Sequence, residues 1–483
     1  MQQIRKNVIY NVLLNVSRVI FPFITAPYIS RVLEPDGIGL FDFSCYYASF
    51  FAMVALLGIP VYGIREVAKH RSEPDSLKMM VSELFSISVF TTISISIIYI
   101  ASLFVIGQLT ENKIIFLVAG ITLYMAPFRT EWFFQGIEKF GYITSRSLII
   151  KTISVICLFL FVRTKSDLIV YVILNALSTA ASDMWNYVKM IKDGFAPHLV
   201  FRGLRKHMRP ILLLFASTLA ISVYTMLDTE MLGFLTDYEQ VGYYGRATNV
   251  SRILISVVTS ISVVVIPRVA QSADLGNFDK IVDIVTKSLA MVSLLAIPMS
   301  IGLACISPVF VPLFYGDLFE GTTLPLMIVG ILVSIIAFSN ITANQILIGM
   351  GHDHLFLKCV IYGSIFNVGL NLLLIPRLGA VGASTASVLA EILVLATSLF
   401  YVHKKTPIRI GHCWRDIMKS LIGSALFLPT YFLLNEYLSG WLLVIVFIFT
   451  GFVLFMATQI MMHHSGMVLL LGIAKGKLKG RIE

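Results

Sequence analysis

The chain is built from apolar stretches separated by gaps too short to fold as separate domains. A membrane-crossing helix needs about 20 predominantly apolar residues. Fourteen such spans fit, over 7–33, 38–64, 79–107, 113–136, 142–163, 167–190, 209–235, 239–267, 281–306, 322–349, 355–375, 379–402, 414–437 and 440–462. Turn residues punctuate the joints, as in Glu34-Pro35-Asp36-Gly37, Gly351-His352-Asp353 and Pro376-Arg377-Leu378-Gly379. Charged residues make up 13% of the chain, against about 25% in an ordinary soluble domain. Together with a mean hydropathy of +0.86, this predicts an all-α, polytopic membrane protein and excludes a soluble enzyme.

Orientation follows from the basic residues, because short cytoplasmic loops collect Lys and Arg. With the N-terminus inside, 27 of the 37 fall in inner segments. Five (Arg31, Lys113, Arg163, Lys165 and Arg377) fall outside, and five (Arg18, Arg129, Lys151, Arg246 and Arg252) within spans. Both termini are therefore expected in the cytoplasm. The net charge of +10 does not imply nucleic acid, since it is dispersed over membrane-flanking loops. Five scattered cysteines with no C-x-x-C give neither a disulfide framework nor a zinc site. The first apolar run is too long for a cleavable signal and leads directly into further spans.

The chain repeats itself. Residues 32–41 (Val32-Leu33-Glu34-Pro35-Asp36-Gly37-Ile38-Gly39-Leu40-Phe41) are echoed by 235–244, so that Gly39 falls on Gly242 and Arg65 on Arg268. Glu131-Trp132-Phe133-Phe134-Gln135-Gly136 likewise falls on Asn344-Gln345-Ile346-Leu347-Ile348-Gly349. The expected organisation is a six-helix bundle over 1–195, a second over 196–405 and two further helices with a basic tail over 406–483. A basic linker, 193–209, joins the bundles. Both halves begin inside, so they are parallel repeats related by a pseudo-two-fold axis along the membrane normal.

Polar residues inside the spans are the functional candidates, because an in-membrane charge faces a protein partner or a wet cavity. Asn7, Asn11, Asn15, Arg18, Pro22 and Thr25 lie on one stripe of the first span. On span 8, Arg246, Asn249, Arg252 and Ser256 share about a third of the circumference. Lys151 lies near the centre of span 5 and Arg129 on span 4. Arginine's planar fork suits phosphate, so Arg18, Arg252, Arg246, Lys151, Asn11, Asn15, Asn249 and Arg129 are candidates for holding an anionic, hydrogen-bonding substrate. The competing reading is structural pairing with neighbouring acids. Asp42, Asp228, Glu230 and Glu391 are the acids that could couple an ion. Asn367 and Asn371, one turn apart, read as interhelical contacts.

Other signals are bland. His352-Asp353-His354 reads as a solvated turn, and the tail Lys475-Gly476-Lys477-Leu478-Lys479-Gly480-Arg481 as attraction to anionic lipid. No G-x-x-x-x-G-K-[ST], H-E-x-x-H or nucleophile elbow occurs. ATP hydrolysis by this chain is therefore not expected, nor is a cofactor or a metal. Transport would need a gradient or a partner.

Three stretches carry a family resemblance: Leu33-Glu34-Pro35-Asp36-Gly37-Ile38-Gly39-Leu40-Phe41, Gly63-Ile64-Arg65-Glu66-Val67-Ala68-Lys69 and Glu131-Trp132-Phe133-Phe134-Gln135-Gly136-Ile137-Glu138. They resemble the polysaccharide-transporter family, which contains the Wzx-type flippases of lipid-linked oligosaccharides. That family lies within the multidrug/oligosaccharidyl-lipid/polysaccharide exporter superfamily. The resemblance implies two six-helix bundles around a cavity, with spans 13 and 14 beside a groove for lipid tails. It implies an undecaprenyl-pyrophosphate-linked oligosaccharide, such as an O-antigen unit, moved from inner to outer leaflet of a bacterial cytoplasmic membrane. A coupling proton or sodium ion, a polysaccharide polymerase and a chain-length regulator are the implied partners. A cation-coupled drug exporter of the same superfamily and a non-transporting scaffold for polymer assembly are the alternatives.

Overall fold

The computed structural model describes residues 2–409, 414–474 and 476. Cys413 and the tail residues Lys475, Lys477, Lys479 and Arg481 lie outside the described residues, as do the side chains of Asn7, Asn11, Asn15, Arg18 and Thr225. Among the described residues the regular structure is entirely helical, and all fourteen expected spans fall on helix. Lipid dictates this, because a backbone N–H or C=O without a partner in hydrocarbon costs several kcal/mol.

Two long helices each contain two spans joined at a kink. Gln2–Leu56 turns at Glu34 and Asp353–Lys405 at Gly379. Pro35 disfavours helical backbone at the residue before it, and Glu34 adopts φ 61, ψ 172. A non-glycine residue there stores about 1–3 kcal/mol of strain. An ion pair helps hold it, with Lys165 Nζ donating to Glu34 Oε2 at 2.5 Å. The same bond raises the Lys165 ammonium above its ordinary range. Gly379 takes φ 53, which glycine reaches without strain.

Spans 4 and 10 are interrupted helices. Span 4 consists of Lys113–Ala119, Ile121–Tyr124, a 3-10 turn at Ala126–Phe128 and Glu131–Gly136. Span 10 runs through Thr323–Gly330 and Leu332–Ser339 into a π-helical stretch, Asn340–Ile348. These two spans carry the second repeated motif, so the duplication in sequence returns as a pair of broken helices.

The chain forms two compact units, Met1–Gly242 and Tyr243–Glu483. In the first, Tyr62, Leu84, Trp132, Phe133, Phe134, Ile143 and Ile211 belong to one apolar core. In the second, Val285, Leu289, Val292, Val333, Ile341 and Val394 share a core. Spans 13 and 14 pack Phe427, Phe447 and Phe455 against Leu294 and Ile306. Cys45, Cys157, Cys305 and Cys359 are free thiols.

The repeated glycines are sites of close backbone approach inside the first unit. A Cβ on Gly39 would overlap the Tyr238 carbonyl, and one on Gly242 the Pro35 carbonyl. The other two motifs pack on each other: a Cβ on Gly63 would lie 2.5 Å from the Trp132 ring, and one on Gly136 2.6 Å from Val67. The Gly-Ile-Arg and Glu-Trp-Phe-Phe-Gln-Gly stretches thus clamp helix Ile59–His70 to helix Glu131–Gly136. Overpacking such a site costs about 1–3 kcal/mol. Gly63→Ala is expected to lower the thermal midpoint of the purified protein, whereas Gly107→Ala, which points into open space, leaves it unchanged. Equal midpoints would show that the two motifs do not clamp these helices.

Candidate functional site

The long helix Tyr238–Asp274 carries the clearest candidate. Asn249, Arg252, Ser256 and Ser260 are all exposed, and steps of three and four residues put them on one face. The same face continues with exposed Val263 and Val264. A cation on the exposed face of a membrane helix marks a wet path more often than a lipid contact. Arg246, one turn towards the outer end, does not share this exposure. It is buried, its guanidinium lies 6.0 Å from the Tyr315 ring centre, and the Tyr315 hydroxyl donates to the Arg246 carbonyl at 3.2 Å. The expected grouping on span 8 is thus divided: Arg252 and Asn249 are accessible, and Arg246 is built into the core.

The side chains of Asn11, Asn15 and Arg18 are outside the described residues, although their helix is not. Lys151 reaches the same helix. Its Nζ lies 3.4 Å from Ser17 Oγ, beside Arg18 in the chain, and 5.8 Å from the Phe21 ring centre. Span 5 is held there in part by Thr144, whose hydroxyl donates to the Tyr10 carbonyl at 3.0 Å.

Arg129 takes the structural alternative. Its Nε donates to Asp183 Oδ2 at 3.2 Å and a terminal nitrogen to the Thr122 carbonyl at 3.4 Å. Beside it is a pair that the loop count did not anticipate. Arg146, assigned by position to an inner loop, is 3% exposed within helix Phe140–Phe161. It donates to Glu131 Oε2 and to the Ser182 carbonyl, both at 2.9 Å. Gln135 Nε2 donates to the other Glu131 oxygen at 3.2 Å. In the Glu-Trp-Phe-Phe-Gln-Gly motif Glu131 therefore pairs with a buried arginine, and Gln135 holds that carboxylate.

The acids also separate. Asp42 is half-buried, and Asp228, Glu230 and Glu391 are buried. Glu230 differs from the rest, because neither carboxyl oxygen has a hydrogen-bond partner among the described residues. Tyr47 and Tyr99 are close enough to interact electrostatically with it. Their hydroxyls donate elsewhere, to Ser102 Oγ at 2.8 Å and to the Phe116 carbonyl at 2.6 Å.

A second polar cluster lies at the inner end of span 7, where sequence reading found only a basic linker. Glu83 Oε2 meets His207 Nε2 at 2.8 Å, and Lys206 Nζ meets Glu83 Oε1 at 2.8 Å. His207 Nδ1 meets the Tyr62 hydroxyl at 2.8 Å. A carboxylate only accepts, so Nε2 carries the ring proton and Nδ1 accepts from Tyr62. Glu83 and His207 are 124 residues apart, and no local spacing could have paired them.

Comparison with known proteins agrees with this architecture. The chain matches the profile described as "Polysaccharide biosynthesis protein" over residues 4–273. The chain belongs to that family. Residues 214–373 also match the MatE family, as the expected superfamily requires. An Escherichia coli (strain K12) protein named as a candidate O-antigen transporter is 24% identical over 408 residues, covering 83% of this chain and 96% of that protein. A Haloferax volcanii protein named as a candidate flippase is 29% identical over 172 residues, 35% of each chain. The solved lipid II flippase MurJ, in an inward closed conformation, superposes with a TM-score of 0.76 at 14% identity, covering 94% of this chain and 98% of that one. This likeness establishes a membrane-transporter fold for the polysaccharide biosynthesis family member described here.

Within that fold the Glu83 cluster fastens the start of span 7 to spans 2 and 3. Glu83→Ala leaves His207 and Lys206 without their acceptor, and stranding a buried partner costs about 1–3 kcal/mol. The thermal midpoint is expected to fall. In a cycle with His207→Ala, the double variant should lose less than the sum of the single losses; strict additivity would refute the coupling.

Proposed function

We propose that this protein is a flippase for an undecaprenyl-pyrophosphate-linked oligosaccharide repeat unit of a surface polysaccharide. It carries the unit from the inner to the outer leaflet of a bacterial cytoplasmic membrane by alternating access of two six-helix halves, 1–195 and 196–405. The observation that carries this reading is the exposed Arg252, with Asn249 and Ser256 on the same face of a membrane helix. A pyrophosphate offers oxygens to a guanidinium fork, and a sugar offers hydroxyls to amide and hydroxyl side chains. Family membership and the name of the Escherichia coli relative support the class of cargo.

In this reading Arg252 binds the pyrophosphate, and Arg18, Asn11, Asn15 and Lys151 are the candidate cargo contacts of the first half. Arg246 supports Arg252 from the core, and Arg129 keeps span 4 in place. An ion gradient drives the cycle. Glu230 is the best-placed coupling group among Asp42, Asp228, Glu230 and Glu391, because its buried carboxyl has no hydrogen-bond partner among the described residues and would gain a partner by taking up a proton or sodium ion. A polysaccharide polymerase and a chain-length regulator receive the product.

Loss of the gene is expected to remove the surface polymer and to leave its lipid-linked unit on the inner face. Arg252→Ala should reduce polymer by tenfold or more, on the order of one lost charge-assisted contact, and Arg252→Lys by less, with protein in the membrane unchanged on an immunoblot. Normal polymer from Arg252→Ala would overturn the assignment. Glu230→Gln should abolish the response of flipping to an imposed gradient while leaving cargo binding intact; an undiminished response would move coupling to another acid.

A further inference from the structure

The linker between spans 6 and 7 does not lie free in water. Its backbone is fastened along span 3, turn by turn. The His198 N–H donates to Ser82 Oγ at 3.4 Å, and the Val200 N–H donates to Ser86 Oγ at 2.9 Å. The Phe201 ring then lies 5.5 Å from the Phe90 ring. Ser82, Ser86 and Phe90 are successive turns of helix Pro74–Val105, each about 6 Å further along it. Gly203, at φ +81, reverses the chain, and Lys206 and His207 return to Glu83. The linker therefore dips along span 3 and comes back.

The depth of the dip can be set against the membrane. Helix Pro74–Val105 has 32 residues, more than the roughly 20 that cross the hydrocarbon core. Its outer half exposes a run of large apolar side chains, Ile93, Ile97, Ile98, Ile100, Phe104 and Val105, with hydroxyl residues interspersed. About 20 residues counted back from Val105 place the inner hydrocarbon boundary near Ser86. Val200 sits at that level and Phe201 just inside it. Leu199 is 50% exposed and Phe201 76%, so both present apolar surface where lipid begins.

Three arginines frame these side chains. Arg202, Arg205 and Arg209 are exposed, and none has a carboxylate partner among the described residues. Lys206, between them, is occupied by Glu83. Aromatic residues just inside the boundary and cations just outside it match a phospholipid, with acyl chain below and phosphate above.

We propose that Leu199 and Phe201 insert into the inner leaflet and that Arg202, Arg205 and Arg209 bind the phosphate of an anionic glycerophospholipid. The site is on the perimeter of the first unit, against the outward face of span 3, and is independent of the cargo assignment. A bulk membrane lipid fits this position better than a transported one, since the neighbouring surface is the exposed apolar face of span 3.

The test uses the full-length protein in phosphatidylcholine nanodiscs containing a minor fraction of phosphatidylglycerol. Lipid retained after extraction is measured by native mass spectrometry. Wild type is expected to retain phosphatidylglycerol, and R202Q/R205Q/R209Q to lose that retention by about tenfold or more. Equal retention in the triple variant overturns the proposal. Preference for undecaprenyl pyrophosphate over phosphatidylglycerol also overturns it, assigning the patch to the transported lipid, as does displacement by millimolar inorganic phosphate, which would indicate a free-anion site. Phe201→Trp supplies a reading that leaves the charges in place: brominated acyl chains should quench its fluorescence, and an unquenched, water-exposed tryptophan overturns the insertion.

Discussion

The need to satisfy every backbone polar group in the absence of water governs this protein. It explains the all-helical fold, and it explains where the helices can break. At the end of the first segment of span 4 the Phe116 carbonyl takes two donors, the Gly120 N–H at 2.8 Å and the buried Tyr99 hydroxyl at 2.6 Å. In the π-helical stretch of span 10, Gln345 Nε2 donates to Ser262 Oγ at 2.7 Å, and the hydroxyls of Thr342 and Ser398 meet at 2.6 Å. Polar side chains of neighbouring spans thus pair with one another, or add a second donor to a carbonyl, beside the interrupted stretches. The linker follows the same rule, with the hydroxyls of Ser82 and Ser86 accepting its N–H groups.

The family motifs follow from a second constraint, close packing. Gly39 and Gly242 allow two backbones to touch, and Gly63 and Gly136 receive Trp132 and Val67. Glu131 pairs with Arg146 and is itself held by Gln135. None of these residues needs to meet a substrate. What the motifs specify is a scaffold, which is consistent with relatives sharing a fold at low identity while carrying different cargo.

Much of this architecture could be read from the chain. Apolar runs located the spans, and Pro35 and Gly379 marked two kinks because proline and glycine act on backbone angles directly. The repeat paired spans 4 and 10 without indicating that either is broken. Their breaks were not visible, because hydrophobic periodicity says nothing of a missing ladder bond. Arg146 was read as a loop charge because the loop rule counts position near a span end, whereas its burial depends on Glu131 and the Ser182 carbonyl arriving from other elements. The Glu83–His207–Tyr62 cluster was equally hidden, since its members belong to three spans. Stripes on single helices were readable; partners across helices were not.

That distinction narrows the functional question. The sequence offered several cations inside the membrane as equals, and tertiary structure sorts them by where they can meet water. Arg129 and Arg146 hold acids inside the first unit, and Arg246 is enclosed over Tyr315. An arginine surrounded by protein contributes to shape and a fixed field, and it cannot follow a large polar cargo through a cycle. Arg252 is exposed on a stripe shared with Asn249 and Ser256, so its side chain is accessible to solvent. A reversible polar contact needs a side chain that solvent can reach, and among these arginines the exposed Arg252 differs in that respect from the buried Arg146 and Arg246.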